Sequence, residues 1–501
     1  MTKTGVSQSI SASGAGNRVG LLFIPNLRLI ATLATAYYLL MIFFAPALFF
    51  GDADPGWHIR TGEWILDNHK LPTVDPFSFV EVHRPWYTWE WLAEVGMALV
   101  YRAGGLTGIT FFFVVVLLSV VWLWFSLQTA LGGSFLFAAL LAPMLVSATQ
   151  LHWLARPHMF SSLFLLGSLW YLEKQPRWSW KQAVLLVAFG SLWANTHPSF
   201  FVPVLIGGCY LLARDGRSWE RLAAGAAFSA GTLINPFFLG LHLHILEFLT
   251  VEEYRENIGE WMPFTFTKDQ PVLIAPMFVI AAIGLLVAWK QGRRHHAATI
   301  GLILLLGLRS SRNVPLVAML ALPLVNVAFT LALQRSRGNL LRGIRELTSE
   351  LTLIDRRFGG YALVPLALVL IFAFLNRPDI REKTGFSERL QPVRAGTFLQ
   401  KQGTDLRVFA NVLEGGYLFW LFAGKPRVFI DGRGDYLGRG PYQEARVAVQ
   451  AQPGWEAIFA KYKFTHALLA RNMPLAPALL AKGWREVYAD PTYLVLQRPG
   501  G

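Results

Sequence analysis

Residues 51–79, GDADPGWHIRTGEWILDNHKLPTVDPFSF, and residues 84–94, RPWYTWEWLAE, bound the stretch whose reading decides the fold. Between Gly51 and Glu94 stand eight acidic residues (Asp52, Asp54, Glu63, Asp67, Asp75, Glu81, Glu90, Glu94) against three basic ones (Arg60, Lys70, Arg84). The stretch directly follows an apolar run over about 29–50, so Asp52 and Asp54 sit where a first membrane span leaves the hydrocarbon. Ionised groups there are costly unless they face a watery cavity or a partner, which makes them functional candidates. Asp54 precedes Pro55, a pairing that suits Asp54 to the N-cap and Pro55 to the first turn of a helix running to about Asn68. Trp57, Trp64 and Ile65 suit that helix to the membrane interface. Thr88 is expected to cap a second helix with Trp91, Leu92, Val95 and Leu99 on one face. Asp54 then has a structural duty and Asp52 has none, so Asp52 is the better candidate for a base or a metal ligand.

Working outward, 54% hydrophobic residues and a mean hydropathy of +0.41 over 501 residues, with repeated apolar runs, exclude an ordinary soluble fold. The expectation is a polytopic α-helical membrane protein. About eleven spans are predicted, near 29–50, 106–130, 134–150, 158–172, 183–194, 199–213, 222–235, 271–290, 298–308, 314–333 and 359–375. Residues 1–28 read as a disordered cytoplasmic N-terminus. Residues 29–375 read as the transmembrane domain, with an extracytoplasmic loop at 51–105. The net charge of +14 does not point to nucleic acid, because the basic residues lie in short loops between spans. Cys209 is the single cysteine, so no intrachain disulfide forms.

Alternating the spans places Lys174, Arg177, Lys181, Arg214, Arg217, Arg221, Arg293, Arg294 and the arginines of 334–358 on the cytoplasmic side, as positive-inside loops require. The opposite side then receives the acidic loop, Arg156-Pro157-His158, Asn195-Thr196-His197-Pro198, Glu260-Trp261 and Arg309-Ser310-Ser311-Arg312-Asn313. Charge alone set this parity. That the polar turns converge on one face is therefore independent support for a site there.

Residues 376–501 have interspersed charges and runs too short to span, and read as a small extracytoplasmic α/β domain. Strands are expected at 407–410, 427–430, 464–470, 485–488 and 493–497, and helices near 416–423, 441–450 and 454–462. The strand-terminal Asp431-Gly432-Arg433-Gly434-Asp435 fits two roles: a glycan-binding or docking loop, or an internal Asp431–Arg433 pair beside a tight turn.

This layout suits transfer of a sugar from a lipid-borne phosphate. One carboxylate takes the acceptor's proton, and cationic groups stabilise the departing phosphate. Asp52 is the expected base and Asp54 the second carboxylate, and together their spacing would let them share Mg²⁺ or Mn²⁺. Arg309 and Arg312 are the expected phosphate clamps, assisted by Arg156, His158 and His197. Glu90, Glu260, His58 and Arg60 are expected in acceptor binding or support. The competing reading makes the Pro-flanked turns mere helix ends and pairs Arg309 and Arg312 with Glu90, Glu94 or Glu260. His242 and His244 read as interface residues, since no tight His/Cys ligand signature is present.

With Asp52-Ala-Asp54 after the first span and helices expected on the membrane behind it, the chain resembles the GT-C superfamily of integral-membrane glycosyltransferases. Trp57–Ile65, Asp75-Pro76-Phe77-Ser78, Glu90-Trp91-Leu92, Glu414–Leu418 and Phe429–Asp435 look like a bacterial subgroup of it. The resemblance implies a polyprenyl-phosphate-linked sugar donor, membrane lipid as the surrounding partner, and catalysis by an Asp of this loop, here Asp52 or Asp54. It also implies residence in a bacterial inner membrane; sugar and acceptor are not identified. Two other function classes fit less well. A lipid-linked glycan flippase needs polar residues along a path through the bilayer with acidic or basic groups at both faces, and the mid-span positions here are almost free of charge. The third class is a noncatalytic scaffold of an envelope-polysaccharide assembly.

Overall fold

The computed structural model describes residues 22–42, 49–251, 259–266 and 272–500. Residues 1–21 of the expected disordered N-terminus lie outside these. Residues 22–28 do not fit that expectation: the Asn26 side chain accepts from the Leu29 N–H at 2.8 Å and so caps the first helix, and Pro25 bridges Gly359.

The first part of the chain is helical: α1 (Leu27–Tyr37), α2 (Asp54–Asn68), α3 (Trp91–Ala130), α4 (Phe135–Thr149), α5 (His158–Lys174), α6 (Trp180–Ala194), α7 (Val202–Tyr210) and α8 (Ser218–Thr232). It continues with α9 (Leu239–Thr250), α10 (Ile274–Lys290), α11 (Arg294–Arg309), α12 (Leu322–Arg335), α13 (Asn339–Arg357) and α14 (Leu363–Leu375). A helix stands at each segment predicted to span. By length and composition, two described stretches are long and apolar enough to cross a membrane, Trp91–Ala130 and Ser311–Arg335. The other apolar helices have 10–17 residues. At about 1.5 Å per residue they fall short of the roughly 30 Å hydrocarbon core unless flanking turns extend them, so the count of eleven is not carried by helix length.

Helix α3 breaks at Gly105, whose φ of 60° and ψ of −154° are non-helical. Only glycine adopts such a backbone at no steric cost. The break separates a half-buried N-terminal arm from the apolar rod beginning at Leu106. Along that arm α2 packs so closely that a Cβ at Gly62 would sit 2.0 Å from the Glu94 carbonyl oxygen.

The tail forms a four-stranded sheet of β1 (Val408–Phe409), β2 (His466–Ala470), β3 (Arg485–Ala489) and β4 (Tyr493–Gln497), in the order β1-β2-β4-β3. β1 pairs β2 in parallel, and β4 runs antiparallel to both neighbours, with Leu468 opposite Val495. The expected strand at 427–430 does not join this sheet. Instead Val428 bridges Ser78 of the acidic stretch, through Phe79 N–H to Val428 O at 3.0 Å and Val428 N–H to Phe77 O at 2.8 Å. The partner of that segment lies some 350 positions away, which explains why local alternation misassigned it.

One apolar core accordingly joins the tail to the stretch 51–94: Ala53, Trp57, Phe77 and Trp86 pack with Phe419, Phe429, Phe459 and Leu468. Helix α15 (Val412–Phe422) lies against α2, and a Cβ at Gly416 would fall 2.7 Å from the Ala53 Cβ. Behind this weld, Arg433 is sandwiched between Asp431 (2.6 Å) and Asp75 (2.8 Å), with side chains 2% exposed or less. Its guanidinium also lies over the Trp86 and Phe419 rings, at 4.6 and 4.8 Å from their centroids. Asp75 further accepts from Ser78 Oγ and the Phe77 N–H. Burial alone would raise its carboxyl, but Arg433 and these bonds hold it below the usual range.

Candidate active site

A cavity of about 520 Å³ opens between the acidic stretch, the turns before α5 and before α7, the Glu260-Trp261 segment, the Arg312 turn and the tail loop 432–435. Helix α2 starts one residue earlier than expected. Ala53 is its N-cap and Asp54 its first residue, so Asp54 is not a side-chain cap. Asp52 does the local capping, since its Oδ1 accepts the Asp54 N–H at 3.2 Å. That leaves Asp54 and the second oxygen of Asp52 free to turn toward one guanidinium: Arg156 Nη1 lies 3.0 Å from Asp52 Oδ2 and Nη2 lies 2.9 Å from Asp54 Oδ2.

The other walls supply partners at second remove. Arg312 lies 3.4 Å from Glu260 Oε1 and 5.2 Å over the Trp261 ring. His152 Nδ1 is 3.7 Å from Glu260 Oε2, and His158 Nε2 donates to the His152 backbone carbonyl at 2.9 Å. His197 Nε2 is 3.5 Å from Glu90 Oε1, and its Nδ1 is held by Ser199 Oγ at 2.8 Å and Ser161 Oγ at 3.0 Å. The tail contributes Gly432, Gly434 and Asp435 to the lining. A Cβ at Gly432 would stand 2.2 Å from Asp54 Oδ1, so no side chain fits there without moving that carboxylate. Asp435 Oδ2 pairs with His244 Nε2 at 3.4 Å.

Burial pushes the Asp52 carboxyl up to about 7, with Arg156 opposing and Asp54 adding to the rise. Burial likewise lifts Glu90 to about 8, against Arg156 and Arg312. Burial would raise Glu260 too, but Arg312 and Arg156 outweigh it and bring that group to about 2. His152 falls to about 4 through burial, and burial also holds His197 well below its ordinary range. The site at neutral pH thus combines a neutral Glu90, neutral imidazoles and an ionised Glu260 with two guanidinium groups.

Of the residues singled out in sequence, Asp52, Asp54, Glu90, Arg156, His158, His197, Glu260 and Arg312 line this one cavity. Three do not. Arg309 ends α11 with its side chain exposed, while Arg312 sits three residues on in a 3₁₀ turn that redirects it inward. Arg60 donates to the Trp420 carbonyl at 2.7 Å and pairs with Glu63, which makes it part of the α2–α15 packing. His58 is buried behind the wall, 3.3 Å from Glu94 and 3.8 Å from Glu90. Sequence reading passed over His152, Ser161, Ser199 and Trp89. The first lies four positions before Arg156, and that proximity to a polar turn was its only signal.

Asp52 and Asp54 offer hard oxygen donors of the type Mg²⁺ or Mn²⁺ takes. They already converge on one cation, the Arg156 guanidinium, so a shared ion fits this pair on condition that Arg156 yields its place.

No protein-family model and no curated protein matches the chain. Its fold matches crystal structures of an Archaeoglobus fulgidus oligosaccharyltransferase. The apo form aligns with a TM-score of 0.57 at 12% identity, covering 90% of this chain and 69% of that one. A second structure, tethered by a disulfide to an acceptor peptide containing the NVT sequon, aligns with a TM-score of 0.56 at 12% identity over 87% and 69%. The chain therefore shares the fold of that oligosaccharyltransferase. These neighbours are archaeal, and the likeness does not extend to the bacterial subgroup suggested by the loop and tail motifs.

Proposed function

We propose that the protein is an integral-membrane glycosyltransferase that moves a sugar from a polyprenyl-phosphate- or diphosphate-linked donor to an acceptor outside the cytoplasm. The observation that carries the reading is the two-sided character of the cavity. Asp52, Asp54, Arg156 and Arg312 line it from helix starts and turns, whereas Leu117, Val120, Leu165, Ile245 and Met319 line it from within the apolar helices. A lipid-linked phosphate sugar has the same two-sided chemistry.

In this reading the isoprenoid lies along the apolar wall. Arg312, with Arg156 once its carboxylates shift, takes the developing phosphate charge through charge-assisted hydrogen bonds. Asp52 receives the acceptor's proton, its raised proton affinity suiting it to work near neutral pH. Asp54 holds Arg156 and orients that pair. A divalent ion, if used, is held by Asp52 and Asp54 and supplies Lewis-acid stabilisation of the leaving phosphate. His197, fixed by Ser161 and Ser199, keeps Glu90 at the wall. The acceptor is a hydroxyl on a glycan or lipid, or a protein side chain; the peptide bound by the fold neighbour keeps the last in play. In this reading the chain spans a bacterial inner membrane about eleven times, the cavity faces the outer leaflet, and the tail is extracytoplasmic.

The test is glycan profiling of cells carrying Asp52→Asn, joined to mass spectrometry of lipid copurified with that variant. Loss of one surface glycan with accumulation of its lipid-linked donor is expected. Unchanged glycans at normal protein level would remove the assignment of the base.

A further inference from the structure

At the end of the bundle opposite the cavity, three helix ends meet around a single carboxylate. Glu173 lies in the last turn of α5, Tyr210 closes α7, and His295 and His296 lie in the first turn of α11. Helix α5 carries His158 of the cavity at its other end, so the two places are separated by about 22 Å of helix at 1.5 Å per residue. Tyr210 donates its hydroxyl proton to Glu173 Oε1, and His296 Nε2 lies 2.6 Å from the same oxygen. The His295 ring stands 4.4 Å from that of His296 and 5.2 Å from that of Tyr210, centroid to centroid. One ligand atom each from Glu173, His295 and His296 fall within 4.8 Å of one another, and His296 is fully buried.

Consecutive helical residues point about 100° apart. Both imidazoles nonetheless gather at one carboxylate, whose Oε1 is already satisfied by Tyr210 and His296. The His295 side chain makes no hydrogen bond among the described residues, so a pure hydrogen-bond clamp gives it no task. Two imidazoles and a carboxylate, with a phenol beside them, form a donor set that favours a borderline transition ion over Mg²⁺ or Ca²⁺.

We propose that Glu173, His295 and His296 form a structural site for a divalent transition-metal ion, zinc in the first place, that staples the end of α5 to the start of α11. The remaining position is left to Tyr210 or water. Two guanidinium groups stand near. Arg221 is already committed to Asp215 at 2.7 Å. Arg293 Nη1 lies 3.3 Å from His296 Nδ1 and is half-exposed. When the ion takes Nε2, the ring proton resides on Nδ1, and Arg293 swings to solvent. The proposal is independent of the transfer reaction and of the charge on any cavity residue.

The experiment uses full-length, tag-free protein in nanodiscs. Elemental analysis should find zinc stoichiometric with the chain. Cobalt exchanged into chelated protein should show the visible absorption of a four-coordinate site, and added zinc should raise the Tm. His295→Ala removes a ligand without removing a side-chain hydrogen bond. It should match the chelated parent in Tm yet lose the cobalt band and bind zinc more than about tenfold more weakly. Glu173→Gln, which keeps an acceptor for Tyr210, should lose the band as well. Parent protein free of zinc and silent with cobalt would overturn the proposal, as would equal zinc binding by parent and His295→Ala. In either case the cluster is a hydrogen-bond clamp.

Discussion

The chain uses one arginine between two aspartates twice, and the two copies differ in almost everything else. Arg433 is closed off between Asp75 and Asp431, with aromatic faces on its plane and side-chain exposures of 2% or less. Arg156 joins Asp52 and Asp54 with 18–23% of each side chain open to the cavity. The first arrangement fixes the tail to the stretch 51–94. In the second, each group keeps enough access to exchange its partner for a substrate or an ion. The same ionic composition serves as a weld or as a site depending on whether water, and therefore ligand, can reach it.

Breaking the weld should give the largest effect. Arg433→Met leaves two buried carboxylates without a counterion, a change that costs about 3–5 kcal/mol, and the tail should become sensitive to protease in the intact protein. Adding Asp75→Asn and Asp431→Asn to the same chain should recover much of the loss, because no unpaired charge then remains buried. If Arg433→Met unfolds no earlier than the parent by tryptophan fluorescence, the weld is not a weld.

Asp52→Asn should do the reverse. The partly open site tolerates the change in stability, while transfer from a lipid-linked donor should fall by about 10²–10⁴-fold, the range for losing a general base. A variant with a normal Tm and normal transfer would remove Asp52 from the chemistry without making it a weld residue like Asp75.

Gly432→Ala sharpens the comparison further, because it reaches the cavity pair from the welded side. The new methyl would meet Asp54 Oδ1 at 2.2 Å, the end of a movable side chain, so the carboxylate should shift off Arg156 at small cost in stability. Displacements of this size cost up to about 10²-fold in rate. Gly434 is the matched control, because a methyl there would find no atom nearer than 3.7 Å. Gly434→Ala should leave the rate nearly unchanged.

Much of the cavity was legible in sequence because charge parity and Pro-flanked turns both report on helix ends. Asp52, Arg156, His197 and Arg312 lie at such ends, and Glu260 in the 3₁₀ turn Gly259–Trp261 between α9 and α10. What failed were decisions of one to three residues. Helix ends are uncertain by that margin, and it decides whether Asp52 or Asp54 caps α2 and whether Arg309 or Arg312 faces inward. Long-range partners failed for another reason. Nothing near Val428 announces Ser78, and nothing near Glu173 announces His295 and His296, more than a hundred positions on. The pairing exists only in the packed chain.

Glu90 crosses the two cases, because it stands in the cavity wall but behaves electrostatically like a buried group. Its folded-state value of about 8 lies above the unfolded value near 4.5. Between those limits the folded protein keeps a proton that the unfolded chain has released, so stability falls as pH rises through the window and levels off above about 8. Glu90→Gln keeps the shape and cannot ionise. Its Tm relative to the parent should therefore climb steadily from about pH 5 to pH 8, and transfer near pH 7 should survive, because glutamine imitates the neutral carboxyl. A constant Tm difference across that range would mean that Glu90 is ionised throughout. It would then belong with Glu260 as a counterion to the guanidinium groups rather than as a neutral donor beside them.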